Sequence, residues 1–210
     1  MNKKTSDEIL SILKNIITNP KPELNFNNNF ELIISVVLSA QTTDKRVNEV
    51  TKILFYKYNT PLKLMNADRQ VVEKIIKPLG LAKNKSTNII NLSKDLVEKY
   101  GGIVPNTKEE LIKLPGVGNK TANVVLALGF NIPAFPVDTH LIRMANRLGY
   151  VKMESNPDII EKAYKKYIDK DEWILSHHLF LLFGRYHCKA ANPNCFDCKL
   201  SKFCKFYTKK

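Results

Sequence analysis

No cysteine occurs among the first 187 residues, and all four cysteines of the chain fall between positions 188 and 204. A small secreted scaffold spreads its cross-links through the fold, so this clustering excludes a disulfide framework and favours a local metal site. Long apolar runs are missing too. The most apolar stretch, Leu32 to Leu38, is interrupted by Ser35 and falls far short of the ~20 residues that span a bilayer. Lys3 and Lys4 are followed by Asp7 and Glu8 with no apolar h-region, so no signal peptide is expected. These absences point to a soluble, cytoplasmic chain with no membrane partner. Sustained period-two alternation is lacking as well, which argues against a sheet, and there are no repeats or low-complexity tracts.

Negative charge is scarce. Thirty-three Lys and Arg face twenty Asp and Glu, a net charge of +13 over 210 residues. That is the electrostatic footprint of a protein that meets a polyanion, nucleic acid first. A merely solvated surface in a Lys- and Asn-rich sequence is the plain alternative. Hydrophobic residues make up 44%, enough for one large or two small cores, so wholesale disorder is excluded.

The periodicity is helical almost throughout. Ile9, Leu10, Ile12, Leu13, Ile16 and Ile17 follow the spacing of an amphipathic helix that Pro20 and Pro22 stop. A second helix opens at Asn28 or Asn29 and is so apolar through Leu38 that it belongs in the core. Apolar stripes recur at Val47 to Leu54, Val71 to Leu79 and Ile89 to Val97. Gly80 and Gly101 stand at expected helix C-caps, and Thr60-Pro61 and Asn156-Pro157 at expected starts.

Thr107 and Glu110 have the form of a capping box opening a short helix through Leu111 and Leu114. Pro115-Gly116-Val117-Gly118 then permits a tight reversal into a helix beginning near Asn119, whose first N–H groups can bind a phosphate. A plain inter-helix turn uses the same glycines. Near the C-terminus, Cys188, Cys195, Cys198 and Cys204 form C-x6-C-x2-C-x5-C, able to enclose either a zinc ion or an iron–sulfur cluster.

Leu114 to Ala122 resembles the helix-hairpin-helix of the DNA glycosylase superfamily, and Val137-Asp138-Thr139-His140 matches its catalytic aspartate segment. Leu38-Ser39-Ala40-Gln41-Thr42-Thr43-Asp44 and the cysteine spacing match as well, so the resemblance to the endonuclease III family covers nearly the whole chain. Asn119 departs from it, since a basic residue is frequent there. The resemblance implies an all-α fold of two helical lobes flanking a DNA cleft. Residues 22 to 132 would carry the hairpin, at about 107 to 130, while residues 1 to 21 and 133 to 210 would form the cluster lobe with its loop at 188 to 204. It implies a 4Fe-4S cluster on the four cysteines. It also implies a monomer acting on damaged double-stranded DNA in a bacterial cytoplasm, with DNA contacts at Gln41, Leu81, Pro115, Gly116, Val117 and Gly118.

The implied reaction is removal of oxidised pyrimidines followed by abasic-site lyase cleavage, with Lys120 as nucleophile and Asp138 beside it. A lysine attacks as the neutral amine, so the site must favour loss of its proton, by desolvation or a nearby positive potential such as a helix N-terminus. An ionised Asp138 would stabilise the positive charge that develops on the sugar. Taken singly, Lys120 reads as a solvated helix lysine, Asp138 as an N-cap, Gln41 as a helix-terminal residue and Leu81 as core. Gln41 and Leu81 would fill the gap that an extruded base leaves. Lys189, Lys199, Lys202 and Lys205 around the cysteines suit a loop touching phosphates. The four histidines are assigned no chemistry, and Trp173, Phe183 and Tyr186 read as core. A monofunctional mismatch glycosylase and a non-enzymatic DNA-binding or redox-sensing protein are the alternatives.

Overall fold

The computed structural model describes residues 1–207, and among them every regular element is helical. In chain order these are α1 (Lys3–Ile16), α2 (Asn29–Leu38), α3 (Asp44–Lys57), α4 (Pro61–Met65), α5 (Arg69–Ile76), α6 (Ala82–Tyr100), α7 (Lys108–Leu111), α8 (Asn119–Phe130), α9 (Thr139–Leu148), α10 (Pro157–Tyr167) and α11 (Trp173–Tyr186). No helix among the described residues is long and apolar enough to cross a membrane. The chain divides into two compact units, one of Pro22–Ile132 and one of the segments on either side of it.

In the central unit, side chains of Asn28, Thr43, Thr60 and Asp68 cap α2 to α5, and Pro61 takes the first helical position of α4. Every residue of α2 from Phe30 to Leu38 is buried, and the helix packs on α3, α6 and α8. Gly129 permits the α8 contact, because a Cβ there would lie 2.7 Å from Asn29 Oδ1. Ser35 is the one hydroxyl inside this helix, and its Oγ has no partner among the described residues. Gly101 ends α6 in the left-handed conformation, φ 60°. Gly80 does not cap α5, since that helix stops at Ile76 and a 3-10 turn, Lys77–Leu79, carries the chain on to the glycine. α7 likewise ends at Leu111, and Leu114 lies in a turn rather than in the helix.

In the other unit, Ile9, Leu10 and Leu13 of α1 join Phe135, Leu141, Met144, Tyr164, Phe180 and Phe183 in one core. Tyr164 is its centre, stacked on Phe135 at 4.8 Å and tilted against Tyr150 at 4.6 Å and Phe180 at 5.0 Å. The phenols bond inward: Tyr164 donates to the Leu141 carbonyl at 3.1 Å, and Tyr150 shares a 2.7 Å bond with the Ser6 hydroxyl. Phe183 is core as expected and Trp173 is half-buried, its indole donating to Ile168 O. Tyr186 is not core. It is the last residue of α11 and is 60% exposed.

Candidate functional site

The hairpin is built from a capping contact and one glycine in a left-handed conformation. Thr107 Oγ1 accepts from the Glu110 amide at 3.4 Å, and the same hydroxyl donates to the Glu110 carboxylate at 2.8 Å, starting α7. After the turn, Gly116 adopts φ 78°, and a Cβ there would meet Asn88 at 3.1 Å and Val37 at 3.2 Å. Gly118 is different: its backbone is extended and the space around it is open. Val117 is buried and its amide bonds Leu114 O at 3.1 Å, whereas among the described residues the amides of Gly116 and Gly118 make no such bond. No side chain caps α8, so its first turn presents backbone donors and the positive end of the helix dipole. Pro115 is half-buried at the bend. Lys120 is in that first turn, and its side chain is exposed. The unit that carries it therefore supplies a dipole but no burial for its ammonium.

Gln41 and Leu81 share a feature that sequence alone does not reveal. Both adopt left-handed backbone, φ 58° and φ 52°. For a branched leucine this is an outlier that surrounding structure must enforce. Leu81 is also 55% exposed, which corrects the reading of it as core. Gln41 is exposed in the turn beyond α2, three residues past the helix end rather than at it.

In the other unit, Asp138 is the N-cap of α9. Its Oδ1 accepts from the amides of His140 at 2.8 Å and Leu141 at 3.0 Å, while Oδ2 accepts nothing among the described residues. The side chain is half-buried at the N-terminus of α9. Capping the helix thus occupies one carboxylate oxygen and leaves the other over.

The same helix reaches the cysteines. Arg143 donates to Cys188 O at 2.9 Å, to Gly184 O at 2.5 Å and to His140 Nδ1 at 3.1 Å. Arginine has no acceptor, so Nδ1 of His140 accepts. One turn on, Arg147 donates to Cys188 Sγ at 3.2 Å and to Lys189 O at 2.8 Å, and stacks over Phe206 at 4.3 Å. The sequence reading missed both arginines, although their i, i+4 spacing downstream of Asp138 was the available signal. All four cysteines line one small cavity with Arg147, Pro193 and Phe206, and none is disulfide-bonded. Burial pushes the Cys198 thiol up from its ordinary value. Among the described residues, no three His, Cys, Asp or Glu side chains gather closely enough to hold a single metal ion. Lys189, Lys199, Lys202 and Lys205 are exposed around the loop, with Lys202 3.4 Å from Glu8.

Residues 34–170 match the HhH-GPD superfamily of base excision DNA repair proteins. The chain is 42% identical over 205 residues to endonuclease III of Bacillus subtilis (strain 168), covering 98% of this chain and 94% of that one. A solved non-covalent endonuclease III–DNA complex superimposes with a TM-score of 0.96 at 44% identity, covering 100% of this chain and 98% of the other. A trapped endonuclease III–DNA covalent intermediate superimposes equally well, with a TM-score of 0.96 at 44% identity.

Proposed function

The chain belongs to the endonuclease III family of the HhH-GPD superfamily, and from that premise we propose that it removes oxidised pyrimidines from duplex DNA with Lys120 as nucleophile. Family membership makes it a DNA glycosylase and abasic-site lyase of base excision repair. The observation that carries the assignment of Lys120 is its place in the uncapped first turn of α8, directly after the hairpin. The open amides of Gly116 and Gly118 would seat a phosphate within the turn that Pro115 and Val117 shape, which delivers the abasic sugar to this lysine.

The reaction balances on these groups. Lys120 Nζ forms a bond to C1′ while the bond from C1′ to the base breaks, the base leaving with that electron pair and a proton. The sugar ring opens to an imine on the lysine. Loss of a C2′ proton then expels the 3′ phosphate by β-elimination, and water releases the lysine. Asp138 Oδ2, which accepts no bond among the described residues, would supply the counter-charge to the sugar cation, while Oδ1 anchors the residue to α9. Docked DNA would provide the desolvation that Lys120 lacks on its own. Gln41 and Leu81 would occupy the gap left by the extruded base.

Cys188, Cys195, Cys198 and Cys204 would hold a 4Fe-4S cluster. They fit it: all four cysteines line one cavity, yet among the described residues no three donors gather as a single zinc with bonds of about 2.3 Å requires. A cluster held there would tie the C-terminal loop together and would supply a redox-active centre.

Incubation with a duplex containing thymine glycol, in the presence of borohydride, should trap a covalent protein–DNA adduct. Lys120→Gln should abolish trapping and leave DNA binding measurable. Undiminished trapping in the variant would move the nucleophile elsewhere.

A further inference from the structure

We propose that Lys85 is a positioning residue that clamps the segments carrying Gln41 and Leu81 into a single duplex-probing edge. The proposal rests on the reading of those two side chains as the ones that enter the DNA.

Lys85 is the fourth residue of α6 and is only 4% exposed, in a fold where lysines otherwise lie at the surface. Its Nζ donates to Ala40 O at 2.8 Å and to Leu79 O at 3.0 Å. The first carbonyl immediately precedes Gln41, and the second lies two residues before Leu81. The backbone amide of Lys85 also bonds Leu81 O at 2.9 Å, closing the first turn of α6. One residue therefore touches both segments, which are distant in sequence, and does so next to the two left-handed positions. Left-handed backbone is unfavourable for a non-glycine residue and persists only where neighbouring contacts fix it. Two charge-assisted bonds to adjacent carbonyls are contacts of that kind.

No carboxylate pairs with this ammonium among the described residues, and burial alone pulls Lys85 below its ordinary value. A lysine kept for stability would have an acidic partner or give way to leucine or methionine, because an uncompensated buried cation is costly. The arrangement is explained if the separation of the two segments matters for entering one base gap. An apolar residue at position 85 would fill the space but leave the Ala40 and Leu79 carbonyls without their common donor.

The test uses the full chain and a thymine glycol duplex with 2-aminopurine beside the lesion, which brightens when the stack opens. Lys85→Met, which keeps the stem and the volume, should lose most of the brightening and slow single-turnover excision about 10- to 100-fold, the range for an ångström-scale misplacement. Borohydride trapping on a single-stranded abasic oligonucleotide, which has no partner strand to enter, should stay within about twofold of wild type on the same grounds. Lys85→Arg keeps a cation with donors for both carbonyls and should restore the brightening. Wild-type brightening and excision in Lys85→Met would overturn the proposal, as would equal losses on single-stranded and duplex DNA. If Lys85→Met fails to fold, a stable Lys85→Arg variant that loses the brightening overturns it instead. The double variant Gln41→Ala, Leu81→Ala separates the two readings: normal brightening there defeats the insertion reading itself, while loss there with normal Lys85→Met defeats only the clamp.

Discussion

Arg147 donates to the sulfur of Cys188 at 3.2 Å, so a fixed positive charge on α9 rests against the first of the four cysteines. Its other bonds go to the carbonyls of Cys188, Lys189 and Ala190, which makes it the main tie between the helix and the loop.

Arg147→Leu should therefore loosen the cysteine loop more than any of its surface lysines does. The part-buried Cys188 sulfur loses this donor while Cys188 O keeps its bond from Arg143 and the Lys189 and Ala190 carbonyls are exposed, so the expected loss is about 1–3 kcal/mol. Thermal unfolding together with iron content per chain checks this, and a variant with unchanged melting and full iron would show the tie to be redundant.

The two hairpin glycines should separate stability from binding. Gly116→Ala places a Cβ 3.1 Å from Asn88 at a positive φ and should cost about 1–3 kcal/mol. Gly118→Ala meets nothing in the protein, so its melting temperature should stay near wild type while affinity for duplex DNA falls, because the new methyl stands where a phosphate must approach. Chemical denaturation and fluorescence anisotropy on both variants are sufficient.

Asp138→Asn keeps an oxygen to cap α9, so the fold should lose less than about 1 kcal/mol. Excision under single turnover should nonetheless collapse, since the amide carries no charge to set against the sugar cation. Full excision would reduce Asp138 to a cap.

Alkaline pH should attack the unit that contains Tyr150 and Tyr164. Burial raises both phenols above the ordinary 10.0. The folded state thus holds protons that the unfolded chain releases, so this stabilisation is complete below about pH 10 and drains away as pH climbs from there toward the folded-state values. Each phenol should contribute a slope of about 1.4 kcal/mol per pH unit in that window. Urea unfolding of Tyr150→Phe above pH 10 should show the slope reduced by one such share, on top of a pH-independent loss from the stranded Ser6 hydroxyl. An unchanged slope would mean that Tyr150 ionises freely in the fold.

Local signals were the legible ones. Asn28 before an apolar run, Thr60-Pro61, Asn156-Pro157 and the Thr107-Glu110 pair each specify a helix start through bonds within a few residues. The Lys120 and Asp138 segments stood out because their residue types and neighbours matched a known pattern. What stayed hidden depends on contacts between distant segments. Lys85 looks like any helix lysine until the Ala40 and Leu79 carbonyls close over it, and Leu81 looks like a core leucine until Gly80 and α6 turn it outward. Tyr186 follows Phe183 at a core-like spacing, yet as the last residue of α11 it is exposed.

The interrupted unit also sets an order of events during synthesis. Ile9, Leu10 and Leu13 of α1 have their core partners only from Phe135 onward, with residues 22–132 emerging in between. At roughly 5–20 residues per second, the apolar face of α1 waits on the order of ten seconds, while the contiguous central unit can close as soon as it leaves the ribosome. A ribosome stalled past residue 132 would thus carry one finished body and one bare amphipathic helix. That helix is the part of the nascent chain that a holding chaperone would need to cover.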